Sequence, residues 1–272
     1  MACEVISERE LMDHFYYQRI RALLDRGDIK VDDQLLVVCG TELDREVLVA
    51  AGCASGVISN IDDTVPGAAV HPFEHTQQDV EALTYTDAAF DWVLVHHGLH
   101  HCRAPHRALA EMYRVARRGI IVFEPCRNVL VGIGRRLKVG QEYEVHAVAA
   151  NALAAGGVNN EAIPNYVYRF TADEVVSTIR ANVPEYDITS QVEYYMEIHW
   201  HDLRKKRDRR PLWLARLAYP FLRLLMCIRP SLANTMCVVI PKSEKLHPWL
   251  QHNDSGEVVP NQAWFQKFGR AE

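Results

Sequence analysis

Short apolar runs alternate along this chain with stretches whose apolar positions return every three or four residues. Gln34–Gly40 (QLLVVCG), Gly56–Ile61 (GVISNI), Trp92–Val95 (WVLV) and Ile120–Phe123 (IIVF) read as strands, and Glu74–Gln78 as a weaker, polar one. The first run is apolar on both faces, as central parallel strands are. Helical spacing marks residues 7–26, opened by a Ser7/Glu10 capping box and closed by Gly27. It marks Leu43–Ala51, closed by Gly52. It returns after Pro105 at Ala108, Leu109, Met112, Val115 and Ala116, with Gly119 as the expected stop. Phe90 to Pro125 is therefore a strand–helix–strand unit with parallel strands and a right-handed crossover. Such sheets bind ligands beyond the carboxyl ends of their strands. Here those ends carry His96, His97 and Glu124.

Beyond Pro125 the pattern changes. Asn128–Lys138 and Glu144–Ala155 read as helices, with Gly156–Gly157 as a break. Thr171–Asn182 is a helix with its own Thr171/Glu174 capping box. Ile188–Trp200 reads as a long strand and Ala233–Ile240 as the last one. The tail from Pro241 is polar and Pro-punctuated. It reads as extended, with Trp249, Trp264 and Phe265 as anchors.

At 272 residues the chain has room for one α/β domain and added elements. A net charge of −5 argues against general nucleic-acid binding. Seven cysteines, an odd number with no Cys-x-x-Cys, read as reduced thiols and a cytoplasmic setting. The N-terminus MACEVISEREL has no apolar signal region.

One ordered run carries a family resemblance. Phe90–Asp91, Leu99–His100–His101, Pro105, Ala108–Leu109, Glu111, Arg114–Val115, Gly119 and Glu124–Pro125 stand in the order of a class I S-adenosylmethionine (SAM)-dependent methyltransferase of the small-molecule, type 11-like kind. The resemblance implies a doubly wound, Rossmann-like α/β sheet of seven strands in the order 3-2-1-4-5-7-6, the last antiparallel, with inserted cap helices. It implies a division into an N-terminal helix over the cofactor site (1–33), a SAM-binding core (34–125), a cap insertion (126–168), the rest of the core with strand six (169–203), an apolar, basic helical insertion (204–232), and the last strand with its tail (233–272).

It also implies residue roles. The glycine-rich first turn falls on Val38-Cys39-Gly40-Thr41-Glu42, where only the middle glycine is kept. Glu42 there would bind the ammonium of SAM or repel its carboxylate. Asp62, with Asp63 as a stand-in, matches the acid that accepts from the ribose hydroxyls; Asp79 and Val80 match the adenine contacts. Tyr16, with Tyr17, belongs to the helix that lies over the cofactor. A ring there would face the sulfonium, or both tyrosines would serve packing. The cap would carry acceptor contacts, with His146 and Tyr166 as candidates beside Glu124. Glu142, Asn165 and Tyr168 are further candidates. The implied reaction is methyl transfer to a small molecule, at oxygen.

Six ligand-type side chains crowd into one turn: His96, His97, His100, His101, Cys102 and His106. His97, His100 or His101 has the chemistry of a general base near neutral pH; the same histidines would otherwise only shape the loop. A metal finds no evident carboxylate ligand in this stretch, so none is expected.

Arg204–Arg229 opens with RKKRDRR and continues PLWLARLAYPFLRLLMCI, with Arg209, Arg216 and Arg223 seven apart. Two arginines and Pro220 argue against a membrane span. A helix lying in a membrane surface, or one packed on the body, the cap or a second subunit of a homodimer, remain. A methyltransferase fold that has lost catalysis is a second reading, motivated by Val38 and Glu42. Action on a lipid or lipid-linked glycan is a third. An NAD enzyme would need a Gly-x-Gly-x-x-Gly first turn, which is missing.

Overall fold

Seven strands form one sheet in the order β3-β2-β1-β4-β5-β7-β6. They are β1 (Leu35–Val38), β2 (Gly56–Asn60), β3 (Glu74–Gln77), β4 (Phe90–His96), β5 (Ala116–Pro125), β6 (Gln191–Tyr195) and β7 (Thr235–Pro241). The computed structural model describes residues 11–63, 66–136, 140–198 and 210–268. Strands β1 to β5 pair in parallel, and β7 runs antiparallel between β5 and β6. Helices α1 (Phe15–Arg26), α2 (Glu42–Ala51), α3 (Pro105–Val115) and α6 (Ala172–Asn182) cover the sheet. The cap holds α4 (Val129–Arg136) and α5 (Val145–Ala150).

The double winding follows from the apolar strands. Leu35 to Val38 and Val93 to Val95 are buried on both faces, so helices must cover both. One core lies under α3 and α6, around Leu109, Met112, Val176 and Ile179. The other lies under α1 and α2, around Tyr16, Ile20, Leu48 and Phe123.

Two residues of the family pattern hold the segment before β4. Glu111 accepts from the Leu83 amide (3.0 Å), and Arg114 donates to the carbonyls of Leu83 and Tyr85 (2.9 Å each). They fix where β4 enters the sheet.

Several expectations change. Helix α3 ends at Val115, and Gly119 lies inside β5 rather than at a helix stop. A Cβ there would sit 2.5 Å from the Ile240 carbonyl oxygen and 2.8 Å from the Pro241 Cα, so β7 passes too close for any side chain. The register of β4 against β5 shifts nearby, between Phe90 and Trp92. Helix α1 begins at Phe15 with His14 as its N-cap, and the Ser7/Glu10 pair lies outside the described residues. Strand β6 ends at Tyr195, short of the Ile188–Trp200 expected; Trp200 lies outside the described residues. Helix α5 stops at Ala150 rather than Ala155.

Helix α7 (Arg210–Ile228) is described, whereas residues 204–209 of the basic run, Arg209 among them, are not. Its Leu212 side is covered, with Ala215, Tyr219, Leu222 and Met226 half-buried, but a second apolar side is open among the described residues. Trp213, Leu217, Phe221, Leu224 and Ile228 are each 64–77% exposed. The tail is folded rather than extended: β8 (Leu250–His252) pairs with β9 (Val258–Pro260), and α8 (Gln262–Phe268) follows. Trp249 stacks on His247, and Trp264 on Phe268.

Candidate active site

A cavity of about 250 Å³ opens at the carboxyl ends of β1, β2 and β4. Its floor is Cys39 and Thr41 after β1, Asn60 and Ile61 at the end of β2, and Gln78, Asp79 and Val80 after β3. His96, His97 and Gly98 close one side, His101 and Cys102 another, and Asn159 and Asn160 reach in from the cap. A second cavity of about 300 Å³ adjoins it. His100, Cys102, Asn165, Tyr166 and Tyr168 line that one, so the turn 98–102 is the wall between the two.

The first turn keeps the shape of a tight loop with one glycine. Cys39 takes a left-handed φ of 52°, and so does His97 at 53°, two non-glycine residues facing one cavity. Such conformations each cost about 1–3 kcal/mol and persist only when their surroundings enforce them. Gly40 is outside the lining; a Cβ there would meet Ile58 Cγ2 at 2.6 Å, so its smallness serves packing on β2. Glu42 begins α2 and does not line the cavity. Asp44 does the capping work: its Oδ2 accepts from the Thr41 amide (2.7 Å) and hydroxyl (3.0 Å). Burial raises the Asp44 carboxyl to about 6 despite those bonds.

Asp79 and Val80 stand together at the far end of the cavity. Asp79 Oδ1 accepts from the Glu81 amide (2.8 Å), which orients the carboxylate. Asp62 is not in the lining. Its Oδ2 accepts from Asn160 Nδ2 (2.6 Å), and Asn160 is. Asn60 is the residue that ends β2 in the cavity, and its amide is bonded to the Gly40 carbonyl (3.0 Å). Tyr16 is fully buried and stacked on His96 (centroids 4.4 Å apart); it is absent from the cavity lining. Burial and the nearby Asp44 carboxylate raise its hydroxyl far above the usual range.

The histidines divide by environment. Burial, with His97, His14 and His100 nearby, holds His96 far below its usual range. Burial also lowers His97, against the pull of Glu197 and Glu124, and lowers His101 beside the His100 charge. His100 is the exception: burial opposes its charge, yet Glu124 and Glu144 hold it up at about 10. Glu124 is fully buried, with one oxygen accepting from the Leu99 amide and the other bonded to His100 Nδ1 (2.7 Å each). It touches neither cavity. His146 is exposed on α5, while Tyr166 is exposed at the rim of the second cavity.

Sequence reasoning missed Glu144. It reaches His101 Nε2 (3.2 Å) and His100 Nε2 (3.7 Å) from the cap. Its only signal was its place at the start of an expected helix. Asn159, Asn160 and Gln78 were missed as well, being polar loop residues without a pattern.

The residue set fits the adenosine half of SAM: the Asp79 acid beside the apolar Val80, with the Asn60 and Asn160 amides in the same cavity. Residues 35–123 match the family model of the methyltransferase domain. Among solved structures, the YcgJ protein of Bacillus subtilis shares the fold at a TM-score of 0.52 and 12% identity, covering 84% of this chain and 99% of that one. A SAM-dependent methyltransferase of Thermotoga maritima aligns over 87% of this chain and 94% of its own at 14% identity, with a TM-score of 0.48. No curated protein gives a significant match. The ordered run from Phe90 to Pro125, the strand order ending 5-7-6 and the domain match over residues 35–123 agree on the Rossmann-like methyltransferase fold.

Proposed function

We propose that the chain transfers the methyl group of SAM to a hydroxyl of a small molecule, within a reducing, cytoplasmic compartment. The observation that supports this most is the one cavity at the strand ends that gathers Asn60, Asp79, Val80 and His97. SAM, when bound in it, supplies a methyl group on a sulfonium, which an in-line nucleophile displaces. Asp79 and Val80 would hold the adenine end, and the neighbouring Asn60 and Asn160 the ribose. The acceptor would enter the same cavity on the His97 side. Alignment of the two is most of the catalysis.

His97 then takes the hydroxyl proton as the oxygen–carbon bond forms. It lines the first cavity and is lowered, hence neutral at pH 7, with its Nε2 3.8 Å from Glu197 to receive the charge that develops. His100 cannot serve, because two carboxylates keep it protonated.

Calorimetric titration with SAM, its demethylated product and NAD tests the cofactor. Micromolar binding of the first two and none of NAD is expected. Asp79→Ala should weaken SAM by about tenfold or more, the worth of a charge-assisted hydrogen bond. Folded protein that binds none of the three would turn the reading to a methyltransferase fold without catalysis.

The exposed side of α7 favours a more specific acceptor, one presented at a membrane surface. Trp213, Leu217, Phe221, Leu224 and Ile228 follow helical spacing, so five large apolar side chains share one exposed stripe. Arg216 lies over the Trp213 ring and Arg223 over Tyr219. The preceding RKKRDRR run supplies positive charge at one end. No described helix is long and apolar enough to cross a membrane. An apolar stripe with a cationic flank fits an anionic bilayer surface. The chain should float with phosphatidylserine-containing vesicles at low salt and much less with neutral ones. Paired Trp213→Ser and Phe221→Ser changes should leave most of it in solution. Unchanged sedimentation with both vesicle types defeats the membrane assignment. A dimer in light scattering that the same pair of changes dissociates would give the stripe to a second copy.

A further inference from the structure

We infer that His100, His101 and Glu144 form a binding site for a divalent transition-metal ion, with zinc as the ion to test. Their ligand atoms all lie within 4.8 Å of one another, with His101 in the lining of the first cavity and His100 in that of the second. Two imidazole nitrogens and one carboxylate are a donor set of catalytic zinc and of non-haem iron(II).

The hydrogen bonds behind the rings make the case stronger than the cluster alone. His101 Nδ1 is 3.1 Å from the Gly157 carbonyl oxygen. A carbonyl only accepts, so Nδ1 carries a proton and Nε2 is the ring nitrogen turned toward Glu144 Oε2, 3.2 Å away. His100 is held the same way: Nδ1 is bonded to the buried Glu124 carboxylate (2.7 Å), and Nε2 points to Glu144 Oε1 (3.7 Å). A carboxylate or carbonyl behind each ring, orienting Nε2 toward one point, is the outer-shell arrangement of metal-bound histidines.

The cap is built to hold the third ligand there. The Glu144 amide donates to the Asn165 carbonyl (3.1 Å), and the Val167 amide donates to that of Glu142 (3.0 Å). Asn165 Nδ2 in turn donates to the His100 carbonyl (3.0 Å), which ties this zipper to the histidine turn. Asn165 Oδ1 is buried with no hydrogen-bond partner among the described residues. The ion displaces the proton that would otherwise sit between Nε2 and Glu144. Through His101 the ion would border the first cavity, where an acceptor oxygen can approach it; this use, though not the site, rests on the methyl-transfer reading.

Purified protein stripped with a chelator should take up about one zinc per chain, read by calorimetry and by elemental analysis of the repurified complex. Glu144→Gln and His101→Ala should each weaken uptake by about tenfold or more. Glu142→Gln, an exposed neighbour, should leave it unchanged. Bound cobalt(II) should show the visible absorption of nitrogen and oxygen ligation, lost in Glu144→Gln. Wild-type protein that takes up no zinc overturns the site, and the cluster is then a protonated His100 between two carboxylates. Uptake that the Glu144 and His101 changes leave intact overturns it too, as binding elsewhere. SAM binding without zinc uptake sinks only the metal; zinc uptake without SAM binding sinks only methyl transfer.

Discussion

Gly56→Ala should cost the fold about 3 kcal/mol or more, lowering the thermal midpoint by roughly 6–12 °C for a chain of this size. Gly56 opens β2 opposite Leu35 in the central strand β1. Its φ is 128°, a region side chains avoid. A Cβ built there falls on the Leu35 carbonyl oxygen and 2.6 Å from the Leu35 nitrogen. Both are backbone atoms of a fully buried strand, so no rotamer change relieves the contact. Strain at φ and overpacking therefore add. Thermal and denaturant unfolding of the variant measure the loss. A variant within about 1 kcal/mol of the parent would show that β2 starts elsewhere.

Glu124→Ala should destabilise the protein by about 3–5 kcal/mol, the cost of removing one partner from a buried charge pair. The residue has no exposed surface. Its loss strips the Leu99 amide and His100 Nδ1 of their acceptor at once. Glu124→Gln keeps the shape and one acceptor oxygen, so it should recover part of the loss. Denaturant unfolding of both variants decides it. Equal stability of Glu124→Ala and the parent would mean that His100 is neutral and needs no counter-charge. The same reasoning separates the roles of the family run: Glu124 with Leu99 and His100 sets the wall of the site, while Glu111 and Arg114 set the approach to β4.

The parallel half of the sheet was legible because its strands are apolar on both faces and its helices carry clear stops. Gly27 and Gly52 end α1 and α2 with left-handed backbone, as their placement predicts. Gly119 misled because a glycine after a helix looks the same whether it stops the helix or admits a neighbouring strand. The neighbour is β7, more than a hundred residues away in sequence, so local reading has no access to it. Glu144 was hidden for a related reason. Nothing in its surroundings marks it, and only the Asn165 zipper brings it over His100 and His101. On α7 the seven-residue arginine spacing was visible, whereas which apolar side stays exposed is a tertiary fact.

The antiparallel strand between β5 and β6 has a consequence for how the chain is made. On the edge that faces away from β4, Ile120 to Phe123 of β5 pair with Cys237 to Ile240. During synthesis the parallel strands are complete once Pro125 has emerged, yet β5 remains an open apolar edge until β7 follows. At ~5–20 residues per second that edge stays unpaired for on the order of ten seconds. Strand β6 cannot close it early, since β6 pairs only with β7. An unpaired apolar edge invites the wrong strand, from this chain or another. The nascent chain is thus most exposed to aggregation while residues 126–234 are being added, and a chaperone acting in that interval should raise its folding yield more than one acting on the finished protein.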